Sequence, residues 1–177
     1  IEVKEKDGST EIVDHDLSIR PDTTIEQLRQ LPPVFKPKTG LITAGNSSPL
    51  NAGASAVVLM SREKADEYGV KPMATIKSMG WAGVEPYIMG KGNVPASQKA
   101  LKQAGLEVDD IDFWEINEAF AVVVLYAMDK LKIDPKKVNV KGGAVAIGHP
   151  LGATGARLVG TLARILKTGN AKTGLAT

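Results

Sequence analysis

The stretch GGAVAIGHPLGATGAR, residues 142–157, contains five glycines and one histidine, His149, which Pro150 follows directly. An imidazole suits general acid–base chemistry and hydrogen-bond donation near neutral pH. Because proline restricts the residue before it to extended conformations, Pro150 limits the backbone freedom of His149. Glycines would let another backbone or a ligand come close. Two interpretations follow: a loop that packs tightly on a neighbour, and a rigid loop that presents His149 in a cleft.

A second polar segment, NEAFA at residues 117–121, lies where a predicted strand passes into a predicted helix. An asparagine there is typical of a helix N-cap, and Glu118 would then lie in the first turn, where the helix dipole favours a carboxylate. In parallel α/β folds, however, ligands collect where strands end. A second interpretation therefore places Asn117 and His149 in one crevice, since both follow predicted strands and precede predicted helices.

Composition narrows the classes of function. Of the 177 residues, 43% are hydrophobic and 24% charged, which is typical of a globular protein with a real core. The net charge is +2 and the basic residues are dispersed, so we expect no nucleic-acid partner; the apolar runs are too short to cross a bilayer. With no cysteine and only His15 and His149, these residues offer no disulfide, no cysteine nucleophile and no expected metal site.

Apolar runs that alternate with amphipathic segments from Leu41 onward predict a layered α/β fold with a buried sheet. The predicted strands are residues 54–60, 73–84, 111–117, 138–140 and 173–177. The predicted helices are residues 23–31, 61–69, 95–106, 118–132 and 151–169. The first forty residues are polar and proline-rich, and they predict a loop region packed on a larger body.

Four segments form a recognisable set: WEINEAFA (114–121), NVKGGAVAIGHPLGATGAR (139–157), MGKGNVPAS (89–97) and TAGNSSPLNAGASAVVLMS (43–61). They resemble signature segments of the thiolases, the CoA-dependent acyltransferases that form or cleave 3-oxoacyl-CoA. TGLAT at the carboxyl end resembles the strand directly ahead of the family's C-x-G motif. The resemblance covers essentially the whole chain, and Asn93 departs from it by replacing the usual proline.

The resemblance implies a thiolase-like layered α/β/α fold that is present in part. Residues 1–48 would be the end of the CoA-binding loop domain. Residues 49–70 would be the last strand and helix of the N-terminal half. Residues 71–177 would be the C-terminal half, truncated before its last strand.

The resemblance also gives roles to individual residues. In thiolases the GHP histidine, here His149, helps to activate a cysteine thiolate and donates an N–H to the thioester oxygen. The asparagine of NEAFA, here Asn117, holds a water that supplies the second donor of this oxyanion hole. Ser48 would contact the pantetheine arm of CoA, and Ala119 and Phe120 would line the acyl-pantetheine tunnel.

The expected function is therefore the reversible Claisen condensation of two acetyl-CoA molecules, or the thiolysis of a 3-ketoacyl-CoA. Acyl-CoA is then a substrate, and no covalently bound cofactor is expected. The family's two cysteines would lie ahead of Ile1 and beyond Thr177, so we expect the chain alone to be inactive. A homodimer or homotetramer is expected by analogy with the thiolases. A cytoplasmic location is the default expectation.

Two alternatives stay open. A non-catalytic CoA-binding or assembly module of the same fold would explain the absence of cysteine. A condensing enzyme of the ketoacyl synthase type uses two histidines with a cysteine, and only His149 is suitably placed here.

The remaining conspicuous residues have structural interpretations. We expect His15 to lie in a solvated loop, and Trp81 and Trp114 to be core or interface residues of strands. Arg157 is expected to form a structural ion pair.

Overall fold

The computed structural model describes residues 1–16 and 19–177, and contacts divide the chain into two compact units, Ile1–Leu31 and Pro32–Thr177. No helix in these described ranges is long and apolar enough to cross a membrane. The second unit carries all four segments on which the family resemblance rests.

The first unit is a small hairpin followed by a short helix. Strands β1 (Glu2–Lys4) and β2 (Thr10–Ile12) pair antiparallel, and helix α1 spans Ile25–Gln30. The Thr24 hydroxyl accepts the N–H of Gln27, and the Gln27 side chain accepts the N–H of Thr24. This reciprocal capping box explains why the helix begins there and confirms the predicted helix.

The described part of the second unit contains five α-helices and two strands besides short 3₁₀ helices, in this order: α2 (Arg62–Glu67), α3 (Asn93–Ala104), β3 (Phe113–Glu115), α4 (Ala121–Leu131), α5 (Ala144–Ile147), α6 (Leu151–Thr168) and β4 (Gly174–Ala176). The predicted helices near α2, α3, α4 and α6 are confirmed. Helix α3 ends where Gly105 adopts the left-handed conformation, with φ of 67°, as a glycine after a helix predicts.

Strands β3 and β4 form a parallel pair that is held at its beginning by Asp112. The Asp112 carboxylate accepts the N–H of Thr173 at 3.0 Å and that of Lys172 at 2.7 Å. These two donors hold the pKa of the Asp112 carboxyl below its ordinary value. Helix α6 packs against both strands. The predicted strands at 111–117 and 173–177 are confirmed over shorter ranges, and the structure shows that they pair with each other.

The core of this unit surrounds β3. Trp114 and Ile116 are each 1% exposed, and they pack with residues of α3 and α4. The expectation of a core position is therefore confirmed for Trp114. His15 is exposed, as expected, and its ring lies 2.8 Å from the Asp14 carboxylate.

Two predicted strands, residues 54–60 and 73–84, are wrong. Both segments lack regular secondary structure, and Val58 and Trp81 are 82% and 78% exposed. A strand needs a neighbour that accepts and donates its backbone hydrogen bonds, and no described residue forms a ladder with either segment. The polar contacts go to helices instead: the Ser55 hydroxyl donates to the Ala153 carbonyl, and the Ser78 hydroxyl to the Ala100 carbonyl.

The predicted strand at 138–140 is reduced to one bridge between Val138 and Trp114. Asn139 adopts a left-handed conformation with φ of 46°, which ends the extended backbone. The predicted helix at 118–132 begins only at Ala121, because Phe120 is extended and bridges to Ser47. Asn117 is therefore not a helix N-cap, and that interpretation is wrong.

Candidate active site

The carboxyl end of β3 carries Asn117 into the site. The Asn117 N–H donates to the Thr177 carbonyl at 2.8 Å, and the Thr177 N–H donates to the Glu115 carbonyl at 2.9 Å. The parallel pairing thus continues past the named strands and fixes the backbone of Asn117. Its side chain is aimed by this backbone and not by a helix cap.

His149 meets Asn117 at this point. The Asn117 Nδ2 and the His149 Nε2 lie 3.3 Å apart, although the two residues are separated by 32 positions in the sequence. Both side chains are partly buried. The Asn117 Oδ1 is buried and has no hydrogen-bond partner among residues 1–16 and 19–177. The structure therefore brings together the two residues that the sequence singles out, and it leaves one amide oxygen available.

The second ring nitrogen of His149 contacts Thr154, which the sequence analysis missed. The His149 Nδ1 lies 2.7 Å from the Thr154 Oγ1, and that hydroxyl lies 2.9 Å from the Pro150 carbonyl oxygen. Thr154 is 4% exposed and belongs to the first turn of α6. Its position one helical turn after Pro150 is the signal that could have identified it.

Glu118 connects the two loops that carry Asn117 and His149. One carboxylate oxygen accepts from the Asn139 Nδ2 at 2.7 Å, and the other accepts from the Val145 N–H at 3.0 Å. A Cβ on Gly143 would overlap the Glu118 carboxylate, so the close approach requires a glycine there.

Asn139 extends this connection to the strand end. Its Oδ1 accepts the Ile116 N–H at 2.8 Å, and its Nδ2 donates to the Ile116 carbonyl at 2.9 Å. Asparagine tolerates the left-handed backbone of this position better than most residues. Asn139 and Glu118 thus hold the residues on either side of Asn117, a role that no local sequence pattern indicates.

The loop before His149 is also held from its other side. The Asn51 Nδ2 donates to the Ile147 carbonyl at 2.9 Å. Gly148 has φ of 96°, and a Cβ there would overlap the Asn51 side chain. The interpretation of tight packing is therefore confirmed at Gly148 and at Gly143. A Cβ on Gly152 or Gly155, by contrast, would meet no atom within 4 Å.

The three predicted substrate-binding residues also lie together. The Ser48 N–H donates to the Ala119 carbonyl at 3.0 Å, and Phe120 stacks edge-on against Phe35 with ring centroids 6.2 Å apart. Because Ala119 lies two residues after Asn117, this group and the His149 contact share one loop. Their role toward CoA stays a prediction.

A buried carboxyl group lies on β3, two residues before Asn117. Glu115 is 1% exposed, and both of its carboxylate oxygens lack a hydrogen-bond partner in the described part of the chain. Burial raises the pKa of its carboxyl to about 7; the Arg157 charge opposes this rise and the Glu118 charge adds to it. Arg157 forms no ion pair within 4.0 Å of a described carboxylate, so the expected structural ion pair is wrong, although its charge acts on Glu115.

Two cavities of the described part of the chain lie away from the contact between Asn117 and His149. A cavity of about 760 Å³ lies between residues 73–81, α3, α6 and β4, and neither residue lines it. A cavity of about 190 Å³ lies under the His149 loop and is lined by Asn51, Pro150, Thr154 and Arg157 among others.

Comparison with known proteins decides the family. The family described as thiolase, C-terminal domain, matches residues 70–177, and the thiolase N-terminal domain matches residues 1–63. The chain belongs to the thiolase family. Two curated relatives are 3-ketoacyl-CoA thiolases, from Marinobacter nauticus at 52% identity and from Hahella chejuensis at 51%; each match covers all of this chain and 46% of the relative. The chain thus spans about half the length of these relatives.

Solved structures agree with this assignment. The Bacillus anthracis acetyl-CoA acetyltransferase superposes with a TM-score of 0.90 at 43% identity, over 99% of this chain and 44% of that one. Human mitochondrial 3-ketoacyl-CoA thiolase superposes with a TM-score of 0.84, and its complex with CoA with 0.83 over 43% of that chain. The predicted partial thiolase-like α/β fold is therefore confirmed. The predicted domain boundaries at residues 48 and 70 stay predictions.

Proposed function

We propose that this chain supplies the oxyanion-binding half of a thiolase active site. The reaction is the reversible condensation of two acetyl-CoA molecules to acetoacetyl-CoA, or the thiolysis of a 3-ketoacyl-CoA. The observation that carries the proposal is the 3.3 Å contact between the Asn117 Nδ2 and the His149 Nε2. Two polar groups that converge at the end of a parallel strand suit the stabilisation of charge on a substrate oxygen.

His149 acts first as a base in this proposal. Its Nε2 takes the proton of a cysteine thiol, and the thiolate attacks the thioester carbonyl. The Nε2–H that results then donates to the oxygen on which negative charge develops. The 177 residues contain no cysteine, so the nucleophile must come from outside them.

Asn117 supplies the second donor indirectly. Its Oδ1 is buried and unpartnered within the described ranges, so it can accept one hydrogen of a water molecule. The other hydrogen of that water then points to the thioester oxygen. One such donor contributes about 3 kcal/mol to transition-state stability.

Acyl-CoA binding is assigned to the neighbouring backbone. Ser48 contacts the pantetheine arm, and Ala119 and Phe120 line the acyl tunnel. The hydrogen bond between the Ser48 N–H and the Ala119 carbonyl supports this, since it joins the three residues to the loop of Asn117. A human relative was solved in complex with CoA. A homo-oligomer is part of the same proposal.

A non-catalytic CoA-binding or assembly module is the second candidate. The absence of cysteine from the 177 residues favours it. This candidate predicts CoA binding without turnover in the native protein that contains these residues. The thiolase proposal predicts that only the isolated 177-residue chain is inactive.

The test measures thiolysis of acetoacetyl-CoA by the natively expressed protein that contains these residues. We expect Asn117→Ala to lower kcat by about 10²–10³-fold and His149→Asn to lower it at least as much, because each change removes an oxyanion donor. His15→Asn is the matched control, since His15 is exposed and lies in the other unit. Full activity of His149→Asn, or none in the unmodified protein, contradicts the proposal.

A further inference from the structure

Thr154 is the only described side chain that contacts the Nδ1 of His149 by hydrogen bonding. The Thr154 Oγ1 lies 2.7 Å from this nitrogen and 2.9 Å from the Pro150 carbonyl oxygen. A hydroxyl has a single proton to donate, and a carbonyl oxygen can only accept. The two distances therefore decide which group must provide the remaining proton.

The Thr154 proton belongs on the Pro150 carbonyl. Bonding of a threonine hydroxyl to the carbonyl four residues earlier is common in helices, and that carbonyl has no proton of its own. Placing the proton on His149 instead would leave two oxygen lone pairs facing each other at 2.9 Å. The Thr154 oxygen must then accept, so the hydrogen between it and His149 comes from the Nδ1.

The contact on the opposite side of the ring agrees. With its proton on Nδ1, a neutral imidazole has a lone pair on Nε2, which is an acceptor. The atom that faces it is the Asn117 Nδ2, a donor, at 3.3 Å. A proton on Nε2 would instead require the Asn117 amide to turn over and the Thr154 hydroxyl to leave Pro150.

We infer that Thr154 is a positioning residue that fixes the neutral His149 ring in the Nδ1–H tautomer. This inference deepens the proposed function, on which it rests for its catalytic meaning. The lone pair of Nε2 then accepts from the Asn117 Nδ2, and it takes the thiol proton once that hydrogen bond is released. The burial of Thr154, which is 4% exposed, keeps water from competing for the Nδ1 proton.

The direct test is nitrogen NMR of the natively expressed protein labelled with ¹⁵N-histidine at a pH where the ring is neutral. Loss of one signal set in His149→Asn assigns the resonances. We expect the wild-type Nδ1 to have the shift of a protonated nitrogen and Nε2 that of an unprotonated one. A protonated Nε2 in the wild-type protein overturns the inference without any variant of Thr154.

Two variants separate the hydroxyl from the shape of the side chain. Thr154→Val removes the acceptor and keeps the volume, so we expect the Nε2–H tautomer to become populated. Thr154→Ser keeps the hydroxyl and should retain the wild-type tautomer. Wild-type shifts in a folded Thr154→Val protein overturn the inference. Circular dichroism and thermal melting establish that each variant is folded.

Kinetics adds a readout that a merely structural role would not produce. We expect Thr154→Val to lower kcat by about 10- to 100-fold with little change in KM, because the base is misdirected while CoA binding persists. Thr154→Ser should restore most of kcat. If His149→Asn is fully active while the Nδ1–H tautomer is observed, the proposed function fails and the tautomer assignment stands.

Discussion

Glu118 and Glu115 lie three residues apart, yet their surroundings are opposite. Each oxygen of Glu118 accepts a hydrogen bond, one from the Asn139 side chain and one from the Val145 N–H. Both oxygens of Glu115 are buried without a partner among the described residues, and burial raises the pKa of its carboxyl to about 7. The first carboxylate connects two loops of the site, and the second lies on β3, two residues before Asn117.

The hydrogen bonds of Glu118 and their absence at Glu115 give the two carboxyl groups different effects on the protein. A carboxylate that accepts two N–H bonds holds its donors in fixed positions, which suits the loops of Asn117 and His149. Burial without hydrogen-bond donors disfavours the ionised form of a carboxyl group, so its pKa rises and it keeps its proton to a higher pH. The geometry of the site should therefore depend on Glu118, and the pH dependence of stability on Glu115.

Removing the bonded carboxylate should have the largest effect. Glu118→Ala leaves the Val145 N–H and the Asn139 amide without an acceptor, and we expect the free energy of unfolding to fall by about 4 kcal/mol. Denaturant titration of the native protein measures this change. Glu118→Gln retains one acceptor, so its free energy of unfolding should lie between those of the wild type and Glu118→Ala. A loss below about 1 kcal/mol would show that the loops are held by other contacts.

Neutralising the unbonded carboxylate should change stability in a pH-dependent way. The pKa of the Glu115 carboxyl in the folded state, about 7, lies above its ordinary value of 4.5. Between these two pH values the folded state therefore holds a proton that the unfolded state has released. Stability contributed by this group is complete below pH 4.5 and is lost as the pH rises to 7. The Gln side chain of Glu115→Gln does not titrate, so the variant keeps its stability over this pH range. Between pH 4 and pH 8 we expect the variant to gain up to about 3 kcal/mol relative to the wild type.

The matched control for this measurement is Glu85→Gln, which changes an exposed carboxylate. Unfolding free energies at a series of pH values should show parallel curves for this control and the wild type. Parallel curves for Glu115→Gln as well would mean that the Glu115 carboxyl is not the group that titrates in this range.

The smallest effect is expected where a loop contact is open to solvent. Asn51 is exposed, and its Nδ2 donates to the Ile147 carbonyl. Asn51→Ala should lower the free energy of unfolding by about 1 kcal/mol, since water can replace the lost donor. Asn51→Asp has the same size and places a carboxylate against a carbonyl, so it should destabilise at least as much. A larger loss for alanine than for aspartate would disprove this account of the contact.

Local sequence patterns predict the helices, whose backbone hydrogen bonds join residues close together in the chain. Helices α3 and α6 follow from apolar periodicity, and Gly105 marks the end of α3 through its left-handed conformation. Strands β3 and β4 are predicted by short apolar runs, and in the structure they pair with each other. Residues 54–60 have the same composition as a buried strand, but no described strand pairs with them, so composition alone misleads.

The sequence predicts five candidate site residues: Asn117, His149, Ser48, Ala119 and Phe120. Asn117 and His149 were identified by motif and by their position after predicted strands. The contacts of Glu118 and Asn139 do not follow from the sequence because their partners are set by loop conformation, whereas Thr154 could have been identified from its position one helical turn after Pro150. The contact between Glu118 and Val145 spans 27 positions, and Asn139 contributes through a left-handed backbone that no periodic pattern reveals.

The proposed function requires that Asn117 and His149 act on one substrate oxygen as a unit. A double-mutant cycle on kcat for acetoacetyl-CoA thiolysis in the native protein tests this most directly, with Asn117→Ala, His149→Ala and the double variant. Residues that act as a unit give non-additive losses, so we expect the double variant to be about as slow as the slower single variant. Losses that multiply across the cycle would mean that the two residues act independently, and would contradict the account.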